Sequence, residues 1–220
     1  MKPVCRKTVL SSLAALALGL LIGCTEGLPP GGGRAAELTE ATLAQGPRGK
    51  VQVVAPPGYC IDRRSLKTGP RGGFALMARC DTLGGRELVN NRRLALITVT
   101  TAPMAEGQRA PSLNDLRQST APARVIETRT RGSVPLIRLT DAPGTAAALS
   151  GEQWRGAFAL NGQLVALAIY VPASAPAPKG TAADLLAEVA RRTRTASRAA
   201  AHSSASGSKA TTPQPRPGSS

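Results

Sequence analysis

The dipeptide Asn161-Gly162, set between two largely apolar runs, constrains this chain more than any other feature. A two-residue hairpin loop of type I′ needs positive φ at both central positions, which Asn and Gly tolerate best. Such a turn pairs Leu160 with Gln163, so Phe158 faces Val165, Gly156 faces Leu167 and Trp154 faces Ile169. Counting outward at period two puts Trp154, Phe158, Val165, Leu167 and Ile169 on one side, and Arg155 and Asn161 on the other. Two strands read separately agree on one buried face, so the chain must build an antiparallel sheet with a covered side.

Further strands are expected at residues 51–55, 73–81, 93–102, 124–131 and 134–140, with the hairpin occupying 153–160 and 163–171. Leu94-Ala95-Leu96-Ile97-Thr98-Val99 is apolar on both faces, the pattern of an interior strand. Pro56-Pro57-Gly58 lacks two N–H donors and ends in a permissive glycine. It should stop the first strand at Ala55 and let Tyr59-Cys60 fold back toward the end of the second. Ser112 as N-cap with Asp115 at N3 predicts a short helix that stops before Pro122. Thr181 with Asp184 starts a longer one, along which Ala182, Leu185, Leu186 and Val189 fall at i, i+3, i+4 and i+7, with Glu188 and Arg192 as an i, i+4 pair. The fold expected is α+β: an antiparallel sheet of about six to seven strands, a short helix after strand three, and a C-terminal amphipathic helix packed on the sheet. That helix would account for the apolar Leu164, Ala166, Ala168 and Tyr170 behind the hairpin.

The flanks differ in character. Residues 24–49, with Leu28-Pro29-Pro30-Gly31-Gly32-Gly33 and Gln45-Gly46-Pro47-Arg48-Gly49, read as a flexible tether with a short helical stretch at 35–44. The globular signal covers 50–197. Residues 198–220 hold Ser, Ala, Thr, Pro and Gly with Arg198, Lys209 and Arg216 and no acid, the composition of a disordered basic tail that would leave His202 unpositioned.

At the N-terminus Lys2, Arg6 and Lys7 precede an apolar run of 14 residues from Val9 to Ile22, short of the roughly 20 that a spanning helix needs. A charged segment before a short apolar one is an export signal. The run ends in Leu21-Ile22-Gly23-Cys24, which resembles the lipobox of bacterial lipoproteins. That resemblance implies a signal peptide at 1–23 and acylation of Cys24, the first residue of the mature chain. Two or three acyl chains hold far better than one, at about 0.8 kcal/mol per buried methylene. Thr25 stands where an Asp would resemble an inner-membrane retention signal, which favours the outer membrane and a domain facing the periplasm. Cys5 goes with the signal, leaving Cys60 and Cys80 in an oxidising compartment, where a disulfide is the default. A reactive thiol is the alternative, although the pair is far from Cys-x-x-Cys spacing and no histidine in the domain is there to activate it.

The predicted order of elements over residues 50–197, with Val54-Ala55-Pro56-Pro57-Gly58-Tyr59 closing the opening strand, resembles the PsbP-like fold of photosystem II extrinsic proteins and related bacterial lipoproteins. Pro56-Pro57-Gly58-Tyr59-Cys60 followed by Gly73-Phe74-Ala75-Leu76 is similar to small proteobacterial lipoproteins. Neither resemblance implies an activity, because that fold serves unrelated roles.

Charge and composition narrow the functional classes. The 220 residues carry +15 and a pI of about 11.1, which suggests nucleic acid as a partner. Only 2% are aromatic, and single-strand binders need aromatic platforms for stacked bases, so nucleic acid is not expected. The signal cations account for three of the charges, and the six cations after Ala190 for half of the remaining +12. The one histidine, His202, lies outside the predicted domain. No Ser or Cys nucleophile has a histidine base in the domain, Ser-x-x-Lys occurs only as Ser206 to Lys209 in the tail, the acids are scattered singly, and no cofactor is implied. What remains is basic charge: Arg63, Arg64, Lys67 and Arg71 in one loop, Arg86, Arg92 and Arg93 in the next, and Arg191, Arg192, Arg194 and Arg198 at the end. These are candidates for contact with anionic lipid headgroups, lipopolysaccharide phosphates or an acidic envelope protein, against the plainer reading of solvated loop charge. The sequence-level expectation is a lipid-anchored, non-catalytic envelope module, with an envelope thiol enzyme using Cys60 or Cys80, or a polyanion binder, as alternatives.

Overall fold

The computed structural model describes residues 38–83, 95–141, 149–172 and 181–207. In chain order the described elements are β1 (Glu40–Gly46), β2 (Gly49–Val54), β3 (Tyr59–Ile61), β4 (Gly73–Arg79), α1 (Cys80–Leu83) and β5 (Leu96–Pro103). There follow α2 (Leu113–Ser119), β6 (Arg124–Arg131), β7 (Val134–Thr140), β8 (Leu149–Leu160), β9 (Gln163–Pro172) and α3 (Thr181–Gly207). Seven strands form one antiparallel sheet in the order β3-β4-β5-β9-β8-β7-β6, and β1 and β2 pair separately. The fold is α+β, with the terminal helix packed on the sheet.

The hairpin forms as its residues dictate. Asn161 and Gly162 adopt φ of 52° and 76°, and the ladder pairs Leu160 with Gln163, Phe158 with Val165, Gly156 with Leu167 and Trp154 with Ile169. The apolar face so created is buried in the main core with Met77, Ile97, Val99 and Leu136. Burying each such side chain contributes roughly 1.5–3 kcal/mol. β5 lies between β4 and β9, in the interior of the sheet as its two apolar faces require.

Over that face lies a second layer made of the β1–β2 hairpin and α3. Leu43, Val51 and Val53 are fully buried against the sheet, as are Ala183, Leu186, Val189 and Ala190 of α3. This corrects two expectations, the state of residues 40–46 and the face that the terminal helix covers. Residues 40–46 are neither tether nor helix but a strand, because Val51 and Val53 need a paired neighbour and Ala41, Leu43 and Ala44 provide one that buries its own apolar side. The strand after Gly49 therefore pairs with β1 and not with β4. The terminal helix covers the Trp154 and Phe158 side, not Leu164, Ala166 and Tyr170. The opposite face is served by α2, because the chain must cross from β5 in mid-sheet to β6 at the far edge, and in crossing it sets Leu116 on Ile137, Leu139 and Ala157.

α3 also ends later than expected. It runs to Gly207, carried by Ala199, Ala200 and Ala201, so residues 198–207 are helical and His202 sits exposed on its last turns. Residues 208–220 lie outside the described part, as do Cys24 and the signal segment.

Two contacts lock the second layer to the first. The Asn161 amide donates to the Lys50 carbonyl at 2.7 Å, and Gly46 is so close to the Asn161 carbonyl that an added β-carbon would overlap it. Along α3, Thr193 and Ser197 are an i, i+4 pair with no exposed surface. Their hydroxyls accept from the backbone N–H groups of Val54 (3.4 Å) and Gln52 (2.8 Å). Alternate donors on the outer edge of β2 are thereby satisfied by helix side chains, which protects an otherwise open strand edge.

Candidate functional site

Whether the domain carries a free thiol turns on Cys60 and Cys80. Pro56-Pro57-Gly58 turns the chain as expected, and β3 returns along β4 with Cys60 paired to Ala78. Cys80 lies two residues further along the same side, and the two are bridged with a Cα–Cα distance of 4.9 Å. Cys60 is 1% exposed. The bridge ties the start of α1 to the edge strand of the sheet.

The basic residues separate into two places. Arg63, Arg64, Lys67 and Arg71 are exposed along the β3–β4 connection. Arg64 pairs with Asp62 at 3.2 Å, and the Lys67 backbone bonds Phe74. β4 stands four strand positions from β7, about 19 Å at the usual spacing, so this loop does not join the arginines of α3. Arg86, Arg92 and Arg93 lie outside the described residues.

On α3 the helical repeat sorts the side chains. Thr193 and Ser197 face β2, while Asp184, Glu188, Arg191, Thr195 and Arg198 recur at three- and four-residue steps along another stripe. That stripe faces the β6–β7 turn, where Gly132 and Ser133 both take positive φ, 51° and 64°. Between turn and helix runs a groove of about 530 Å³, lined among others by Arg131, Arg191, Arg194 and Arg198. Arg194 is the fixed member. Its Nη1 donates to the Gly132 carbonyl at 2.7 Å, and its guanidinium lies 4.5 Å from the Phe158 ring centroid. Burial pushes its pKa down from the usual arginine value, with Arg198 adding to the effect; an arginine so shifted is still a cation at neutral pH.

Arg131, Asp184, Arg191 and Arg198 are exposed. Arg131 approaches Asp184 at 3.5 Å. Arg191 donates to both oxygens of Glu188 at 2.8 and 2.6 Å. The hydrogen bond from Arg191 holds the Glu188 carboxyl below its usual range, helped by the charges of Arg191 and Arg192. Arg198 has no hydrogen bond or ion pair among the described residues. Four guanidinium groups against two carboxylates leave the groove at about +2.

Of the four arginines expected together at the chain's end, Arg191, Arg194 and Arg198 line the groove, and Arg192 sits on its flank 3.8 Å from Glu188. Sequence reasoning missed Arg131. Gly132-Ser133 marked it as next to a turn, but nothing in the sequence said that this turn would lie beside α3. The other carboxylates act as caps and arginine partners: Asp115 closes a capping box with Ser112, Asp81 pairs with Arg79, and Glu127 and Glu152 both hold Arg138.

Chemically, such a groove suits oxyanions, because guanidinium groups give charge-assisted, paired hydrogen bonds to phosphate or carboxylate. Among the described residues no group of three His, Cys, Asp or Glu could hold a metal ion, and no helix is long and apolar enough to cross a membrane. No family model, curated protein or solved structure matches the chain.

Proposed function

We propose that this chain is a lipid-anchored protein of the cell envelope, held in the outer membrane by acylated Cys24 with its domain facing the periplasm, and that it acts without catalysis as a binding module for anionic envelope chemistry. The anchor rests on Leu21-Ile22-Gly23-Cys24 and the charged, short apolar segment before it. The binding role rests on one observation: Arg131, Arg191, Arg194 and Arg198 converge on a single groove from two elements far apart in sequence. The bridged Cys60 and Cys80 support the non-catalytic reading over a thiol enzyme.

Lipid phosphates on a membrane or on lipopolysaccharide are the anions in reach of an anchored domain. Each arginine near such a surface contributes on the order of 1 kcal/mol, less at high salt. Residues 24–220 carrying Cys24→Ser, which removes the acyl chains, should float with vesicles containing phosphatidylglycerol and not with pure phosphatidylcholine. Arg191→Gln with Arg198→Gln should weaken that binding by about 2 kcal/mol, roughly thirtyfold. These two are chosen because Arg194 also braces the β6–β7 turn. Equal binding to neutral vesicles, or no change in the double variant, would contradict the proposal.

A further inference from the structure

The face of the sheet opposite α3 carries a second concavity, remote from the basic groove. Ala157 and Ala166 are paired across β8 and β9, and two such small side chains side by side leave a depression in the sheet surface. α2 walls it with Leu116, and Leu164 adds apolar surface from β9. The resulting pocket has a volume of about 420 Å³, within the range of roughly 300–1,000 Å³ for small-molecule sites. α2 packs on Ile137, Leu139 and Ala157, and Leu164 and Ala166 beside it stay partly open although both are apolar.

Its polar lining consists of Gln108, Arg109, Asp115, Ser119, Thr120 and Arg155, of which three are charged. Arg155 stands two residues before Ala157 on the same face of β8, half-buried. Its Nε donates to Gln153 Oε1 at 3.1 Å, and among the described residues its two amino groups meet no acid. Arg109 and Asp115 occupy the rim, 3.5 Å apart. The rim therefore carries one net positive charge, and the unmatched guanidinium is the one nearest the apolar floor.

We infer that this pocket binds a single-chain amphiphile with a carboxylate head, its apolar body on Leu116, Leu164, Ala157 and Ala166 and its head on Arg155. A planar guanidinium with two free amino groups matches a carboxylate in a paired geometry. One net positive charge on the lining is balanced by a monoanion, whereas a dianionic phosphate monoester would leave the pocket with a net negative charge. Binding here is separate from docking at the α3 groove and involves none of the same side chains.

The test uses the full chain in native membrane vesicles and dodecanoate bearing a photoreactive diazirine at its methyl end. Adducts should map to residues 108–120 and 153–168, and unlabelled dodecanoate should compete at least tenfold better than dodecanol. That preference is read on the unaltered chain, so it does not depend on any variant folding. Arg155→Gln should reduce the preference to near one, and Ala166→Phe, which fills the floor, should remove the labelling. Adducts scattered over the chain, equal competition by the alcohol, or unchanged labelling in both variants would overturn the assignment. Dodecyl phosphate competing as well as dodecanoate would overturn the choice of a monoanion.

Discussion

Ser197→Ala is the sharpest probe of how α3 is held, because its hydroxyl makes the shorter of the two bonds from the helix to the edge of β2. Ser197 is fully buried, and its oxygen accepts the Gln52 N–H at 2.8 Å, 145 residues away in sequence. Removing that oxygen leaves a donor at the β1–β2 edge without its partner, which costs about 1–3 kcal/mol. Alanine returns about 0.5 kcal/mol through its better helix propensity, so the net loss is about 0.5–2.5 kcal/mol. For a domain of this size each kcal/mol moves the midpoint by roughly 2–4 °C. Ser203→Ala is the internal control. It lies on the same helix, is exposed, and its hydroxyl only donates to the Ala199 carbonyl within the helix, so this substitution should be neutral or slightly stabilising. Thermal unfolding of both variants against the parent decides the matter. If Ser197→Ala melts with Ser203→Ala, at or above the parent, the hydroxyl does not hold the edge of β2 and the reasoning fails.

Two further outcomes follow from the packing. Cys60 and Cys80 close a loop of 20 residues, so reduction should lower unfolding stability by about 3 kcal/mol on the chain-entropy account, read as a shift of the urea midpoint between oxidised and reduced protein. An unshifted midpoint would mean that the bridge does not form in solution or does not constrain the unfolded chain. Gly46→Ala should destabilise strongly, by about 2 kcal/mol or more, because its β-carbon would meet the Asn161 backbone, which the tight turn cannot move aside; unfolding at the parent midpoint would show that the two turns do not lock together.

How far the sequence carried the fold depended on whether a signal was local. The Asn161-Gly162 register, the Ser112–Asp115 capping box and the turn at Pro56-Pro57-Gly58 each depend on a few adjacent residues, and each is present as read. β1 was missed because Glu40-Ala41-Thr42-Leu43-Ala44-Gln45 has a weak alternating pattern and lies between glycine- and proline-rich segments. Its strand state comes from pairing with β2, which is a tertiary effect. The side of the sheet that α3 covers was likewise undecidable, since both faces of the hairpin are apolar. The basic groove was half legible: helical periodicity groups Arg191, Arg194 and Arg198, but only the folded sheet brings Arg131 to them.

The anchoring that underlies the proposed role is tested most directly by mass spectrometry of the mature chain's first peptide, isolated from membranes. A chain that begins at Cys24, with its thiol carrying diacylglycerol and its amine acylated, is the result expected from Leu21-Ile22-Gly23-Cys24. A chain that begins at another residue, or one with Cys24 unmodified, would contradict a lipid-anchored envelope protein.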